Sequence, residues 1–176
     1  MPTPGTPAPE LVLSTLSHGE FSLTGSTAEN GTVLVFYRGL HCPICMRQLT
    51  DLERHVEKFA DKGVDLIAIS ADGREKTEQT AAKAGTEKLK MGYGLSLAAA
   101  RDDWGLYLSQ GRENTAEPDY FSEPGLFWVR PGGMVYFGSV QTMPFVRAAT
   151  SGLLGGISYL LENDYPVRGN YTGPSP

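Results

Sequence analysis

Cysteine, histidine and charge are all scarce in this chain. Only two cysteines, Cys42 and Cys45, occur among 176 residues. That excludes a disulfide-stapled scaffold, which needs several bridges to replace a small core. The three histidines, His18, His41 and His55, supply no second pair at ligand spacing to set beside the cysteines, so a four-ligand zinc site is not expected. His18, in a turn, and His55, on a helix face, read as solvated groups. Charged residues make up 20 % of the chain, the net charge is −5, the pI is near 5.2 and there is no basic stripe. A broad footprint for nucleic acid or an anionic membrane is therefore excluded. No apolar stretch approaches the length that spans a bilayer. The opening Met1-Pro2-Thr3-Pro4-Gly5 lacks the basic segment and apolar run of a secretory leader, so the expected compartment is cytoplasmic.

What is present is enough apolar material, 40 % of residues, for one domain whose sheet is covered on both faces. Residues 1–10, rich in Pro, Thr and Ala, read as an extended arm, 11–165 as the single domain, and 166–176 as a C-terminal tail. Leu11-Val12-Leu13 and Glu20-Phe21-Ser22-Leu23 read as short strands joined by a turn at Ser17-His18-Gly19-Glu20, and Thr32 to Tyr37 as a central strand. From Cys45, the apolar positions Leu49, Leu52, Val56 and Phe59 mark one face of a single helix ending at Gly63.

Val64 to Ile69 is a second buried strand, and Asp72 with Glu75 matches a capping box opening a helix that runs to about Gly85. A weaker strand at Tyr93 to Leu95, a helical segment from Leu97 to Tyr107 and a polar loop from Gly111 to Ser122 follow. Arg130-Pro131-Gly132-Gly133 is the turn of a hairpin between Leu126–Val129 and Met134–Phe137. A closing helix carries Phe145, Ala149, Leu153, Ile157 and Leu160 on its buried face, and its Gly152, Gly155 and Gly156 permit close packing. Trp104, Tyr107 and Trp128 read as core or interface aromatics. This order predicts an α/β, thioredoxin-like three-layer fold: a mixed central sheet, helices on both faces and an N-terminal β-hairpin extension.

Cys42-Pro43-Ile44-Cys45 stands where the central strand gives way to a helix. Residues three apart on a first helical turn are neighbours, close enough for a disulfide, so the spacing and the placement together point to a redox pair. Pro43 suits the first helical position, which puts Cys42 at the N-cap. A thiolate there meets free amides and the positive end of the helix dipole, and a protonated His41 adds to it, lowering the Cys42 pKa. Cys45, on the stripe with Leu49, is more sheltered and suited to resolving a mixed disulfide formed at Cys42. Arg38, beside the loop, is a candidate for holding an anionic substrate or a thiolate. No dissociable cofactor is required.

Four segments resemble the peroxiredoxin-like branch of the thioredoxin superfamily, the redoxins labelled alkyl hydroperoxide reductase/thiol-specific antioxidant. They are Gly5-Thr6-Pro7-Ala8-Pro9-Glu10-Leu11-Val12-Leu13, Val33-Leu34-Val35-Phe36-Tyr37-Arg38-Gly39, Leu66-Ile67-Ala68-Ile69-Ser70-Ala71-Asp72 and Pro124-Gly125-Leu126-Phe127-Trp128-Val129. The resemblance implies that fold and a cysteine-based redox activity. Counted from Phe36, Arg38 stands at the position of the peroxiredoxin Pro, Cys42 at that of its Thr and Cys45 at that of its peroxidatic Cys. Pro124 stands where the family has its Arg. The rival thioredoxin alignment makes Cys42 the nucleophile, Cys45 the resolving thiol and Pro124 a cis-proline facing them, while Val35 replaces the buried acid of thioredoxins. Three functions stay open: a thiol-disulfide oxidoreductase, a thiol-dependent peroxidase and a redox-sensing binding module. The implied partners are a dithiol electron donor of thioredoxin or glutathione type, a protein disulfide or peroxide substrate, and a second copy of the chain in a homodimer.

Overall fold

Thr32-Val33-Leu34-Val35-Phe36 is buried at every position because it forms the central strand of a sheet covered on both sides. The structure is a computed structural model that describes residues 1–174. The strands are β1 (Val12–Ser14), β2 (Glu20–Ser22), β3 (Thr32–Phe36), β4 (Asp65–Ile69), β5 (Lys90–Gly92), β6 (Leu108–Gln110), β7 (Tyr120–Ser122), β8 (Gly125–Arg130) and β9 (Met134–Val140). The helices are α1 (Pro43–Glu53), α2 (Val56–Ala60), α3 (Arg74–Ala84) and α4 (Thr150–Glu162), with a π-helical turn at Ala99–Asp103. The main sheet has the order β5-β4-β3-β8-β9. Its β3–β4 and β4–β5 pairs are parallel and its β3–β8 and β8–β9 pairs antiparallel.

Alternation along each strand divides the core in two. Val33, Val35, Leu66, Ala68 and Trp128 face a layer built by α1, α2 and α4 with Cys45, Leu49, Leu52, Phe59 and Ile157. Leu34, Phe36, Ile67, Ile69, Phe127 and Val129 face the β1–β2 hairpin and the π-helical segment, meeting Leu13, Phe21, Ala100 and Trp104. The mixed sheet, the covering of both faces and the N-terminal hairpin follow the reading of the sequence. The arm also has a fixed place. Gly5 N–H donates to Val135 O at 2.7 Å, Val135 N–H to Thr6 O at 3.0 Å and Ala8 N–H to Gly133 O at 2.8 Å, which covers the free edge of β9.

Several elements depart from expectation. The helix expected from Cys45 to Gly63 is broken at Arg54-His55. The His55 backbone N–H turns to Leu52 O at 2.9 Å, and His55 Nδ1 takes the Asp51 carbonyl, at 2.8 Å, that the next helical bond would have used. The third parallel strand is Lys90–Gly92, ahead of the expected Tyr93 to Leu95. The polar loop ends in β7, which pairs antiparallel with β6. Phe145 is not on the buried face of the closing helix. It precedes α4 and is 71 % exposed, and Ala149 is the exposed N-cap. Tyr107 is likewise exposed, whereas Trp104 and Trp128 are fully buried. Nothing lies within 4 Å of a Cβ built at Gly155 or Gly156, so these glycines pack against nothing among the described residues. The tail expected over 166–176 includes Ser175 and Pro176, which lie outside the described residues.

Candidate functional site

Tyr37 prolongs the β3–β4 pairing by donating its N–H to Ile69 O at 2.9 Å, and the chain then crosses the end of the sheet through Arg38-Gly39-Leu40-His41. Gly39 has φ +127°, and a Cβ there would lie 2.5 Å from Asp72 Oδ2, so only glycine lets the loop pass the carboxylate. Leu40 N–H donates to that same oxygen at 2.8 Å. Asp72 therefore does not cap α3. The N-cap is Gly73, with no side-chain bond, and the expected Asp72–Glu75 box is absent because Asp72 faces back onto the cysteine loop.

Cys42 is the N-cap of α1 and Pro43 follows it in the first turn, as the motif predicts. Cys42 Sγ accepts the Cys45 backbone N–H at 3.2 Å, and the two sulfurs are joined as a disulfide with a Cα separation of 5.3 Å, within the usual range. Both cysteines are buried, Cys42 at 2 % exposure and Cys45 at 0 %, so exposure does not separate an attacking thiol from a sheltered one.

The cation beside the pair is one that the sequence reading missed. Arg147, from the segment between β9 and α4, places its guanidinium Nη2 3.6 Å from Cys45 Sγ and 3.9 Å from Cys42 Sγ. Its Nη1 donates to the carbonyls of Met143 at 3.2 Å, Pro144 at 3.3 Å and Val146 at 2.7 Å, which ties the side chain to its own loop. Burial, and then Arg38, lower its pKa, while Glu123 opposes them. A guanidinium starts so far above neutrality that it stays charged at the sulfurs.

Arg38 does not reach the sulfurs as a ligand group. Its Nη2 pairs with Glu123 Oε1 at 2.9 Å, and its guanidinium lies over the Phe121 ring at 4.6 Å. Ser109 Oγ donates to the same carboxylate oxygen at 2.5 Å. Glu123 is 3 % exposed and its Oε2 has no partner among the described residues. The β6–β7 ribbon thus delivers Ser109, Phe121 and Glu123 to this end of the sheet. His41 lies against Phe121, ring centroids 4.6 Å apart, with Nε2 enclosed and unpartnered. Burial first, and Arg38 next, hold the His41 pKa below its ordinary value. The positive charge expected from a protonated His41 is therefore not available, and Arg147 and Arg38 are the cations of the site.

Pro124 is buried beside Gly125, but no cis peptide bond occurs among the described residues, so the cis-proline of the thioredoxin alignment is not formed. It lines a small cavity of about 70 Å³ that it shares with Phe36, Gln48 and Arg147. Of the residues singled out from the sequence, Cys42, Pro43 and Cys45 come together as expected. Arg38 and His41 sit on the entry loop, and Pro124 lines a cavity together with Arg147. Among the described residues no group of three or more His, Cys, Asp or Glu side chains is placed to hold a metal ion, and no helix is long and apolar enough to cross a membrane.

Solved structures similar to this one include peroxiredoxins. Peroxiredoxin 6 of Arenicola marina superposes with a TM-score of 0.75 at 17 % identity, covering 94 % of this chain and 76 % of that one. The 2-Cys peroxiredoxin of Plasmodium vivax does so with a TM-score of 0.74 at 17 % identity over 93 % of this chain and 99 % of its own. Enterococcus faecalis AhpC gives a TM-score of 0.70 at 16 % identity over 99 % of this chain and 100 % of its own. At these identities the likeness is one of fold. No curated protein matches the chain. The model of the AhpC/TSA family matches residues 4–137, taking in the hairpin, the whole cysteine loop and most of the sheet and stopping before Arg147. On the strength of that match, the chain belongs to the AhpC/TSA family, the redoxins of the thioredoxin superfamily.

Proposed function

We propose that this protein is a thiol-disulfide oxidoreductase on a peroxiredoxin scaffold, cycling Cys42 and Cys45 between dithiol and disulfide. The observation that carries the reading is the disulfide at the start of α1 with the Arg147 guanidinium against both sulfurs. The family and fold support a thiol peroxidase or thiol oxidoreductase as the broader class. In the reduced protein, the Cys42 thiolate accepts the Cys45 N–H at the positive end of the helix, and Arg147 offsets its charge. It attacks one sulfur of a substrate disulfide and the other substrate sulfur leaves as a thiolate. Cys45 then attacks Cys42 Sγ, freeing the second substrate thiol and closing the internal bond. Arg38, His41, Pro43 and Pro124 support this site by shaping the loop and its walls. A separate dithiol donor returns the pair to the reduced state, which suits a reducing, cytoplasmic compartment.

Peroxide reduction is the second reading, favoured by the family and by the shorter distance from Arg147 to Cys45. A Cys45 thiolate would take one oxygen from a hydroperoxide, releasing an alcohol or water, and its sulfenic acid would condense with the Cys42 thiol, releasing water. Two assays separate the readings: insulin reduction with dithiothreitol, and hydrogen peroxide consumption with a thioredoxin system. Turnover of insulin, lost in Cys42→Ser, supports the first. Peroxide turnover alone, lost in Cys45→Ser, supports the second, and silence in both assigns the fold to a redox-sensing module.

A further inference from the structure

Residues 141–149, between β9 and α4, form no regular structure and are tied into a closed loop of their own. Gln141 Nε2 donates to Val146 O at 2.9 Å, and Arg147 Nη1 donates to the carbonyls of Met143, Pro144 and Val146. The apolar side chains of the loop turn outward, Met143, Phe145 and Val146 being 46 %, 71 % and 45 % exposed. Among the described residues, two hydrogen-bond contacts hold this loop to the body. The Gln141 N–H donates to Pro124 O at 3.1 Å, and Arg147 Nη2 lies against the two sulfurs. Space flanks the guanidinium on both sides: a cleft of about 360 Å³ toward Ile44 and Asp51 of α1, and a cavity of about 70 Å³ toward Pro124 and Ser139. The loop therefore bridges the cysteine end of the sheet rather than packing into it.

One of the two contacts depends on redox state. A disulfide sulfur is a neutral, weak acceptor, and at 3.6 and 3.9 Å it returns little for the desolvation of a half-buried guanidinium. A thiolate in the same place accepts a charge-assisted bond. Arg38, paired with Glu123, and His41, held neutral, make no hydrogen bond to the sulfurs, so Arg147 is the group that feels the change. Both sulfurs are buried, so a reagent reaches them only after a covering segment moves.

We propose that residues 141–149 are a redox-dependent strap, loosely seated over the disulfide so that a reductant can enter, and drawn shut by Arg147 over the ionised reduced pair. Arg147 is the latch and Gln141 the fixed end. The match to the AhpC/TSA family stops at residue 137, so the strap lies outside the matched region. The inference rests on reversible cycling of Cys42 and Cys45, whichever substrate they take. When a dithiol reduces the pair, two electrons open the S–S bond, each sulfur gains a proton, and the dithiol leaves as its own disulfide. One protein thiol then gives its proton to solvent, and the anion seats the guanidinium. Reciprocity sets the size of the effect. Seating Arg147 is expected to lower the thiol pKa by about one unit, so ionising the thiol favours the seated strap about tenfold.

Trypsin reads the strap directly, because Arg147 must leave the sulfurs to enter the protease and is the only basic residue between Arg130 and Arg168. The oxidised protein and the protein reduced with dithiothreitol, then freed of reductant without air, are digested at about pH 8, where a large share of an acidified thiol is ionised. Cleavage after Arg147 is scored against cleavage after Arg168 in the same sample. The ratio is expected to be about tenfold lower in the reduced protein, since cleavage tracks the open population. Gln141→Ala, which frees the fixed end, is expected to raise the ratio in both states and to speed reduction of the disulfide by dithiothreitol. Equal ratios in the two redox states, or a higher ratio in the reduced protein, overturn the strap while leaving the redox pair intact. Gln141→Ala without effect on cleavage or on reduction overturns it as well. If dithiothreitol adds no pair of hydrogens to the protein by mass, it is the underlying reading that fails.

Discussion

Arg147 is the only basic residue between Arg130 and Arg168, and it is the one whose guanidinium lies against both sulfurs. Replacing it with Met keeps the stem and removes the charge. The pKa of the more acidic thiol in the reduced protein is then expected to rise by roughly one unit, about 1.4 kcal/mol, read from the ultraviolet absorbance of the thiolate against pH. An unchanged titration would assign the acidity to the helix end alone. His41 acts in a different way. Burial and Arg38 hold its folded pKa below the ordinary 6.5, so the native protein keeps the ring neutral while the unfolded chain binds a proton as the pH falls through that value. Stability from this source is complete above 6.5 and is lost toward acid. His41→Gln is expected to flatten this part of the slope, measured as urea midpoints from about pH 5 to pH 7.5.

At the scale of elements, the loop from Arg38 to His41 is held from outside. Asp72, just beyond β4, accepts the Leu40 N–H and occupies the space a side chain at Gly39 would need. Asp72→Ala leaves that part-buried donor unmatched and is expected to cost about 1 kcal/mol in urea denaturation, with slower disulfide turnover as the loop loosens. Normal stability together with normal turnover would show the loop to be self-supporting. The same residue explains why a capping-box pattern misled. Asp followed three positions later by Glu suits a helix start, but the pattern does not tell which of two nearby backbone donors the carboxylate will choose. The break between α1 and α2 has a similar origin, since the spacing of Leu49, Leu52, Val56 and Phe59 carries across it while the His55 ring intervenes in the backbone ladder.

For the whole molecule, the sheet separates a face that bears the cysteines from a face that only consolidates. Trp104 sits at the centre of the second, its ring 5.2 Å from Phe36 and 5.1 Å from Phe127, fully buried. Trp104→Ala is expected to destabilise by about 3–5 kcal/mol, seen as a lower urea midpoint at unchanged slope, while thiol acidity in the folded protein stays the same. A coupled change in acidity would show that the two faces communicate through β3. The sequence by itself determined the strands β3, β4 and β8, the phase of α1 and the meeting of Cys42 with Cys45. Each of these depends on periodicities or contacts within a few residues. Tertiary structure alone decided that Arg147 would cover the sulfurs and that Arg38 would turn to Glu123, 85 positions away. It also decided that Asp72 would hold Leu40 and that His41 would be neutral. A polar side chain has many partners within reach of its chemistry, and only the packing of distant segments leaves it one.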